Sequence, residues 1–293
     1  MTPRQAHAYC TQKAKDSGSN FYYSFLFLPQ SQREAMYTVY TFCHEVDATV
    51  DHPPPGLNPA EQLTRWRQEV TAIYRGTPHH PVAISLADHV ARLAIPEEYL
   101  QELLTGMEMD LTYSRYRTFE DLYPYCYRVA SVVGLICLKI FGTRDPRAKD
   151  YAIQLGLAFQ LTNILRDIGA DADRNRIYLP QEELARFGYK EQELLAKRYT
   201  PQFRNLMAFQ CQRARQFYQH ARQIYASLPR NDQRTLVAAE IMQAVYGRLL
   251  HRIEQRNYSV FGPRIRLSPL HRIGIATTTW LRATIGPYVR LYP

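Results

Sequence analysis

Gln160-Leu161-Thr162-Asn163-Ile164-Leu165-Arg166-Asp167-Ile168-Gly169-Ala170-Asp171 decides the fold. Gln160, Asn163, Asp167 and Asp171 fall at i, i+3, i+7 and i+11, a continuous polar stripe. The other positions of this stretch and its approach are Leu155, Leu157, Phe159, Leu161, Ile164 and Leu165. That period belongs to a largely buried helix with one polar face. A second segment repeats it: Tyr40, His44, Asp47 and Asp51 fall at i, i+4, i+7 and i+11, beside Val39, Phe42, Cys43, Val46 and Val50. An ordinary surface helix also has a polar stripe. It explains poorly two similar stripes that each end at a Gly- or Pro-rich break, where a loop can close over a ligand.

Working outward, helical periodicity dominates and no convincing alternating strand occurs. The pattern predicts helices over 3–17, 30–50, 59–75, 81–93, 96–112, 118–142, 146–168, 201–227, 230–256 and 268–285. Asp51-His52-Pro53-Pro54-Pro55-Gly56 stops the second of these, because successive prolines lack amide donors and clash with the preceding turn. Thr118 is the expected N-cap of its helix, with Pro124 placed near the helix start, where a missing donor costs little. No period of 20–50 residues repeats and no stretch has linker composition. The expectation is an all-α fold with a central cavity, built as one domain over residues 1–293.

Composition narrows the function. The 293 residues are 46% hydrophobic and 22% charged, enough apolar material for a sizeable core. Net charge is +9, but the basic residues are dispersed and carry no zinc-finger or RNA-binding signature, which argues against nucleic acid. An anionic membrane surface and a phosphorylated substrate remain, and they are compatible. Five cysteines with no C-x-x-C pair argue against a disulfide framework and for a reducing compartment. Met1-Thr2-Pro3-Arg4-Gln5 lacks the apolar core of a signal peptide. The longest apolar stretch, Val129 to Leu138, is about half of the ~20 residues a span requires. A cytoplasmic protein with peripheral membrane contact is expected.

Both stripes contain D-x-x-x-D. Residues four apart lie about 40° apart around a helix and one turn along it, so the two carboxylates share a face. A hard cation such as Mg²⁺ takes carboxylate oxygens together with phosphate oxygens. Two such helices facing each other can grip a diphosphate through metal ions. Arg166, Arg174 and Arg176 beside four carboxylates suit the same ligand, because the guanidinium fork matches oxygen-rich anions.

These residues resemble the squalene/phytoene synthase family. The strongest match runs from Gln160 through Asp167 and Asp171 to Arg176-Ile177-Tyr178-Leu179-Pro180 and is similar to the family's second aspartate-rich signature. Tyr125-Cys126-Tyr127-Arg128-Val129-Ala130-Ser131-Val132-Val133-Gly134 resembles its Y-C-x-x-V-A-x-x-V-G helix. Ser19-Asn20-Phe21-Tyr22-Tyr23-Ser24-Phe25 and Gly106-Met107-Glu108-Met109-Asp110 also fit. The similarity covers about residues 5–270, and the Ser19–Phe25 segment with Glu45-Val46-Asp47 is most similar to presqualene diphosphate synthases of hopanoid biosynthesis.

The resemblance implies an all-α isoprenoid-synthase fold, Mg²⁺, and head-to-head condensation of two farnesyl diphosphates to presqualene diphosphate, with NADPH not required. It places metal binding on Asp47, Asp51, Asp167 and Asp171. Substrate contacts fall on Ser19, Asn20, Tyr40, Gln160, Asn163, Arg166, Arg176 and Tyr178. Phe21, Tyr125, Ala130, Val133, Gly134 and Tyr246 border the hydrocarbon channel or the reacting carbons, and Tyr125 and Tyr246 are the catalytic candidates beside the aspartates. His44 stands where many relatives have Arg, and Ala48 where many have a second consecutive aspartate. A three-residue step to Asp47 keeps His44 on the substrate-facing stripe. Squalene, dehydrosqualene or phytoene as product are the alternatives, followed by a non-catalytic assembly role. Hopanoid-pathway enzymes are the implied partners.

Overall fold

The computed structural model describes residues 1–284, the side chains of Asn20 and Tyr23 excepted. In chain order the helices are α1 Pro3–Asp16, α2 Asn20–Phe25, α3 Gln30–Asp51, α4 Pro59–Arg75, α5 Pro81–Leu93, α6 Glu97–Thr112, α7 Phe119–Cys126 and α8 Val132–Phe141. They continue as α9 Ala148–Asp173, α10 Gln181–Arg186, α11 Glu191–Leu195, α12 Pro201–Ser227, α13 Arg230–Thr235, α14 Val237–Gln255 and α15 Pro269–Thr284. Among the described residues there is no strand, only one isolated bridge between Arg115 and Ile177. The all-α expectation holds.

Starts follow from local chemistry. Thr2, Asn58 and Thr200 accept a backbone N–H from the first turn of α1, α4 and α12, and each helix opens on proline, whose missing donor is no loss there. Thr118 caps α7 as expected, in a reciprocal pair with Asp121.

Nearly all of the buried apolar side chains join in one cluster from Cys10 to Leu267. On one side, α3 packs against α1, α4, α5 and α6. On the other, α9 packs against α12, α14 and α8, and α8 reaches back to α3 and α6. The two aspartate helices therefore belong to opposite halves, with a cavity between them.

Four expectations need correction. Residues 118–142 are not one uninterrupted α-helix: Pro124 sits at its sixth position, past the free first turn, and Tyr127–Ser131 then adopts π-helical hydrogen bonding. Glycines clamp this π turn. A Cβ on Gly156 of α9 would lie 2.5 Å from the Ser131 Cα, and one on Gly106 of α6 would lie 2.7 Å from Val129 Cγ1. Second, α9 does not stop before Gly169 but runs to Asp173, held by buried Ile168 and Ala172. Third, 230–256 breaks at Leu236, which turns into the core between α13 and α14. Fourth, three short helices, α2, α10 and α11, lie in stretches where none was expected.

By length and mean hydropathy (1.4), Phe119–Phe141 could cross a membrane. Half of it is buried, and it contributes Tyr125, Val129, Ala130, Val133 and Gly134 to the wall of the cavity, which is the position of a core helix.

Candidate active site

The cavity between α3 and α9 encloses about 630 Å³, within the range of small-molecule sites. Its inner walls are apolar: Phe21 and Phe25 of α2, Val39 of α3, Val129 and Ala130 on the π turn, Val133 of α8, Phe159 of α9 and Met242 of α14. Its polar end carries Ser19, Tyr40, His44, Asp47, Gln160, Asn163, Arg166, Tyr246 and Arg264. Of the predicted substrate-contacting residues, only Arg176 and Tyr178 stand outside this wall among the described side chains; Asn20 has its side chain outside the described set. Ser19 also accepts the Tyr22 N–H at 3.3 Å, capping α2 and fixing Phe21 against the cavity. Phe21 contacts both Tyr40 and Tyr246, with ring centroids 6.0 and 6.1 Å away, and Tyr246 meets Phe159 at 4.6 Å. His44 lies one turn along from Tyr40, ring centroids 6.0 Å apart.

Small residues on α8 have two uses. Gly134 lines the cavity, yet a Cβ there would also meet the Ala152 carbonyl oxygen at 3.0 Å. Close helix packing and room for a ligand both depend on it.

The four predicted aspartates fall into two electrostatic kinds. Asp51, at the end of α3, receives Arg176 at 2.5 Å and Arg174 at 3.4 Å. Asp167 is gripped on both oxygens, by Arg166 at 2.9 and 2.5 Å and by Arg264 at 2.8 and 2.6 Å. Burial pushes the Asp167 carboxyl up, but the two guanidinium groups outweigh it and hold it below the usual range. Asp47 and Asp171 lack such clamps. Burial and then the neighbouring Asp51 raise Asp47 to about 6, and burial with Asp167 raises Asp171 to about 7.

Two residues with no predicted role complete the site. Asp110 of α6 accepts hydrogen bonds from Tyr178 at 2.7 Å and Tyr125 at 3.0 Å, and burial raises its carboxyl to about 6. Its segment is one of the family-like stretches, so that similarity was its only signal. Arg264 comes from the loop before α15, 97 residues from Asp167, and no spacing rule reaches that far. The loop after α9 is positioned by Arg115, which donates to the Asn175 carbonyl at 2.5 Å and pairs with Glu191, while the Ile177 N–H bonds Ser114. That pinning aims Arg176 at Asp51 and Tyr178 at Asp110. Glu45, between His44 and Val46, faces elsewhere: it accepts from Tyr9 at 2.6 Å and lies 3.6 Å from His80.

The donor set suits divalent cations. Three carboxylates, Asp47, Asp110 and Asp171, are held above their ordinary range by desolvation and mutual repulsion, and the Asn163 Oδ1 is a buried acceptor with no partner on the same stripe as Asp167. Oxygen ligands with surplus negative charge are what a hard cation takes.

A sequence profile described as Squalene/phytoene synthase matches residues 14–271. The chain belongs to the squalene/phytoene synthase family. The 15-cis-phytoene synthase of Synechococcus elongatus is 36% identical over 293 residues, covering 96% of this chain and 94% of that one. The phytoene synthase of Arthrospira platensis is 36% identical over 297 residues, covering 97% and 95%. Among solved structures, a dehydrosqualene synthase in complex with ligand superposes with a TM-score of 0.82 at 27% identity, covering 99% and 98%. The squalene synthase HpnC from Alicyclobacillus acidocaldarius gives 0.79 at 26%, covering 87% and 95%. The expected isoprenoid-synthase fold and prenyltransferase class therefore stand.

Proposed function

We propose that this chain, as a single synthase domain, condenses two farnesyl diphosphates head to head into presqualene diphosphate. The observation carrying the reading is that two D-x-x-x-D helices flank one largely apolar cavity, with Asp47 in its wall and Asp167 tied to it through Arg166 and Arg264, which also line it. Farnesyl as the prenyl unit rests on the Ser19–Phe25 segment with Glu45-Val46-Asp47.

Asp47, Asp51, Asp167 and Asp171 would hold Mg²⁺, which supplies charge neutralisation to the departing diphosphate. Arg166, Arg176 and Arg264 are placed to donate to its oxygens once they are released from their carboxylates. Breaking C1–O of one substrate leaves an allylic cation. The C2=C3 double bond of the second attacks that carbon, and loss of one proton closes a cyclopropane. One diphosphate departs and one stays on the product. The apolar walls exclude the water that would trap the cation. Burial keeps the Tyr125, Tyr178 and Tyr246 hydroxyls protonated, so they act as hydrogen-bond donors. That leaves the released diphosphate as the stronger base.

Geranylgeranyl diphosphate and phytoene form the second reading, favoured by the names of the sequence relatives. Purified protein given either substrate with Mg²⁺, with and without NADPH, separates them. Presqualene diphosphate from farnesyl diphosphate without NADPH is expected. Preferential turnover of geranylgeranyl diphosphate to phytoene replaces the farnesyl reading, and NADPH-matched squalene formation replaces the product. A cytoplasmic location with peripheral membrane contact, and hopanoid-pathway enzymes as partners, accompany this reading.

A further inference from the structure

His7 of α1 and His89 of α5 stack where these helices meet, outside the cavity wall, with ring centroids 5.0 Å apart and planes 20° from parallel. His89 is only 1% exposed, yet its Nε2 has no hydrogen-bond partner, and the buried Nε2 of His7 has none either. The Arg92 guanidinium, which can only donate, lies 2.9 Å from His89 Nδ1. Nδ1 is therefore the acceptor, and the neutral ring must carry its proton on Nε2, pointing at nothing. Asp88 places a carboxylate oxygen 3.9 Å from His89 Nδ1 on the exposed side. One ligand atom each from His7, Asp88 and His89 lie within 4.8 Å of one another, and no other such trio occurs among the described residues.

We propose that His7, Asp88 and His89 form a binding site for a first-row transition-metal ion of the zinc class, separate from the aspartate site. Imidazole nitrogen with one carboxylate suits zinc, whereas magnesium demands oxygen. Neighbouring ligands on one tetrahedral zinc keep roughly 3.3 Å apart, so the stacked rings must rotate inward to close on the ion. Burial, followed by the neighbouring His7 and Arg92, pushes the His89 imidazole down to about 4, so at neutral pH the ring is neutral and its Nδ1 carries no proton. Asp88 and Glu34 bring negative charge near the site, and Arg92 already occupies the place of a cation there. The ion takes the place of that guanidinium at His89 Nδ1, leaves the ring neutral with its proton on Nε2, and staples α1 to α5, with water at the open coordination position.

The test uses the full chain saturated with Mg²⁺, so that the aspartates are occupied, and titrates Zn²⁺ and then Co²⁺ as probes. Expected are about one retained Zn²⁺ per chain, a visible Co²⁺ absorption band, and a melting temperature raised by roughly 3–6 °C at a hundredfold excess over Kd. His7→Gln, on a half-buried position that tolerates the change, and Asp88→Asn, on an exposed one, should each weaken retention at least tenfold. His89→Gln should abolish it if that variant folds. No Zn²⁺ retained by the wild type under excess Mg²⁺, or equal retention by His7→Gln, overturns the proposal.

Discussion

Helices α3 and α9 carry the same D-x-x-x-D spacing, and the tertiary structure treats the two motifs in opposite order. In α3 the first aspartate, Asp47, stands without a clamp and the last, Asp51, is held by Arg174 and Arg176. In α9 the first, Asp167, is held by Arg166 and Arg264, and the last, Asp171, stands without one. Each helix thus offers one carboxylate whose charge is already balanced and one whose charge is not. The Asp51 clamp also ties α3 to α9, because its arginines come from the loop that follows α9. A bound cation has a direct electrostatic gain at Asp47 and Asp171, while Asp51 and Asp167 must first give up their arginines. Those arginines are then free for the diphosphate.

Replacing the aspartates one at a time by asparagine gives the largest expected effect. Turnover should fall about 10²–10³-fold for each, measured as diphosphate release. Melting of the metal-free proteins should split the four into pairs. The folded pKa of Asp47 and of Asp171 is raised, so above it their ionised forms cost stability. At pH 8, Asp47→Asn and Asp171→Asn should melt at or above the wild-type temperature. Asp51→Asn and Asp167→Asn leave guanidinium groups unpaired and should melt lower. Four identical melting curves would erase the distinction between the two kinds, and full activity in any variant would remove that residue from the metal set.

A smaller effect is expected from Arg264→Gln, because Asp167 keeps Arg166. Turnover should drop about tenfold, with a rise in the Mg²⁺ concentration needed for half-maximal rate no greater than threefold. A loss as large as that of Asp167→Asn would mean that Arg264 acts on substrate directly throughout.

His44 sharpens the α3 side. It lines the cavity one turn from Tyr40 and is near enough to Asp47 to lower its carboxyl pKa. His44→Ala should raise KM for the prenyl diphosphate about three- to tenfold with little change in kcat, and His44→Arg should be tolerated. Unchanged KM in both variants would leave His44 a packing residue.

The smallest effect probes the helical continuity of α9. A Cβ on Gly169 would meet Phe261 Cα at 3.5 Å, an ordinary contact, so Gly169→Ala should stabilise by up to about 1 kcal/mol and leave turnover intact. Destabilisation would show that the helix needs glycine there for reasons beyond propensity. Gly156→Ala is the contrasting control: its Cβ would fall on the π-turn backbone, and a clear loss of stability is expected.

Much of the site was legible because it is periodic. Tyr40, His44, Asp47 and Asp51 sit on one stripe, Gln160, Asn163, Asp167 and Asp171 on another, and a helix turns each spacing into a shared face. Asp110 and Arg264 were assigned no role because neither belongs to a periodic pattern with the residues it touches. The π turn after Pro124 was missed for a related reason. Pro124 removes one helical donor just before the turn, but the close approach of Gly106 and Gly156 from two other helices is not written within residues 118–142.

The sequence by itself determined the long helices, the Thr118 cap, the break after Asp51, the two acidic stripes and the family, because these depend on neighbours within about a turn of one another or on motif similarity. Only the tertiary structure decided which carboxylates are balanced, where Arg264 and Asp110 enter, and that two orphaned imidazoles meet at His7 and His89. Those outcomes depend on distances between segments far apart in the chain. Burial then sets the cost of each charge left without a partner.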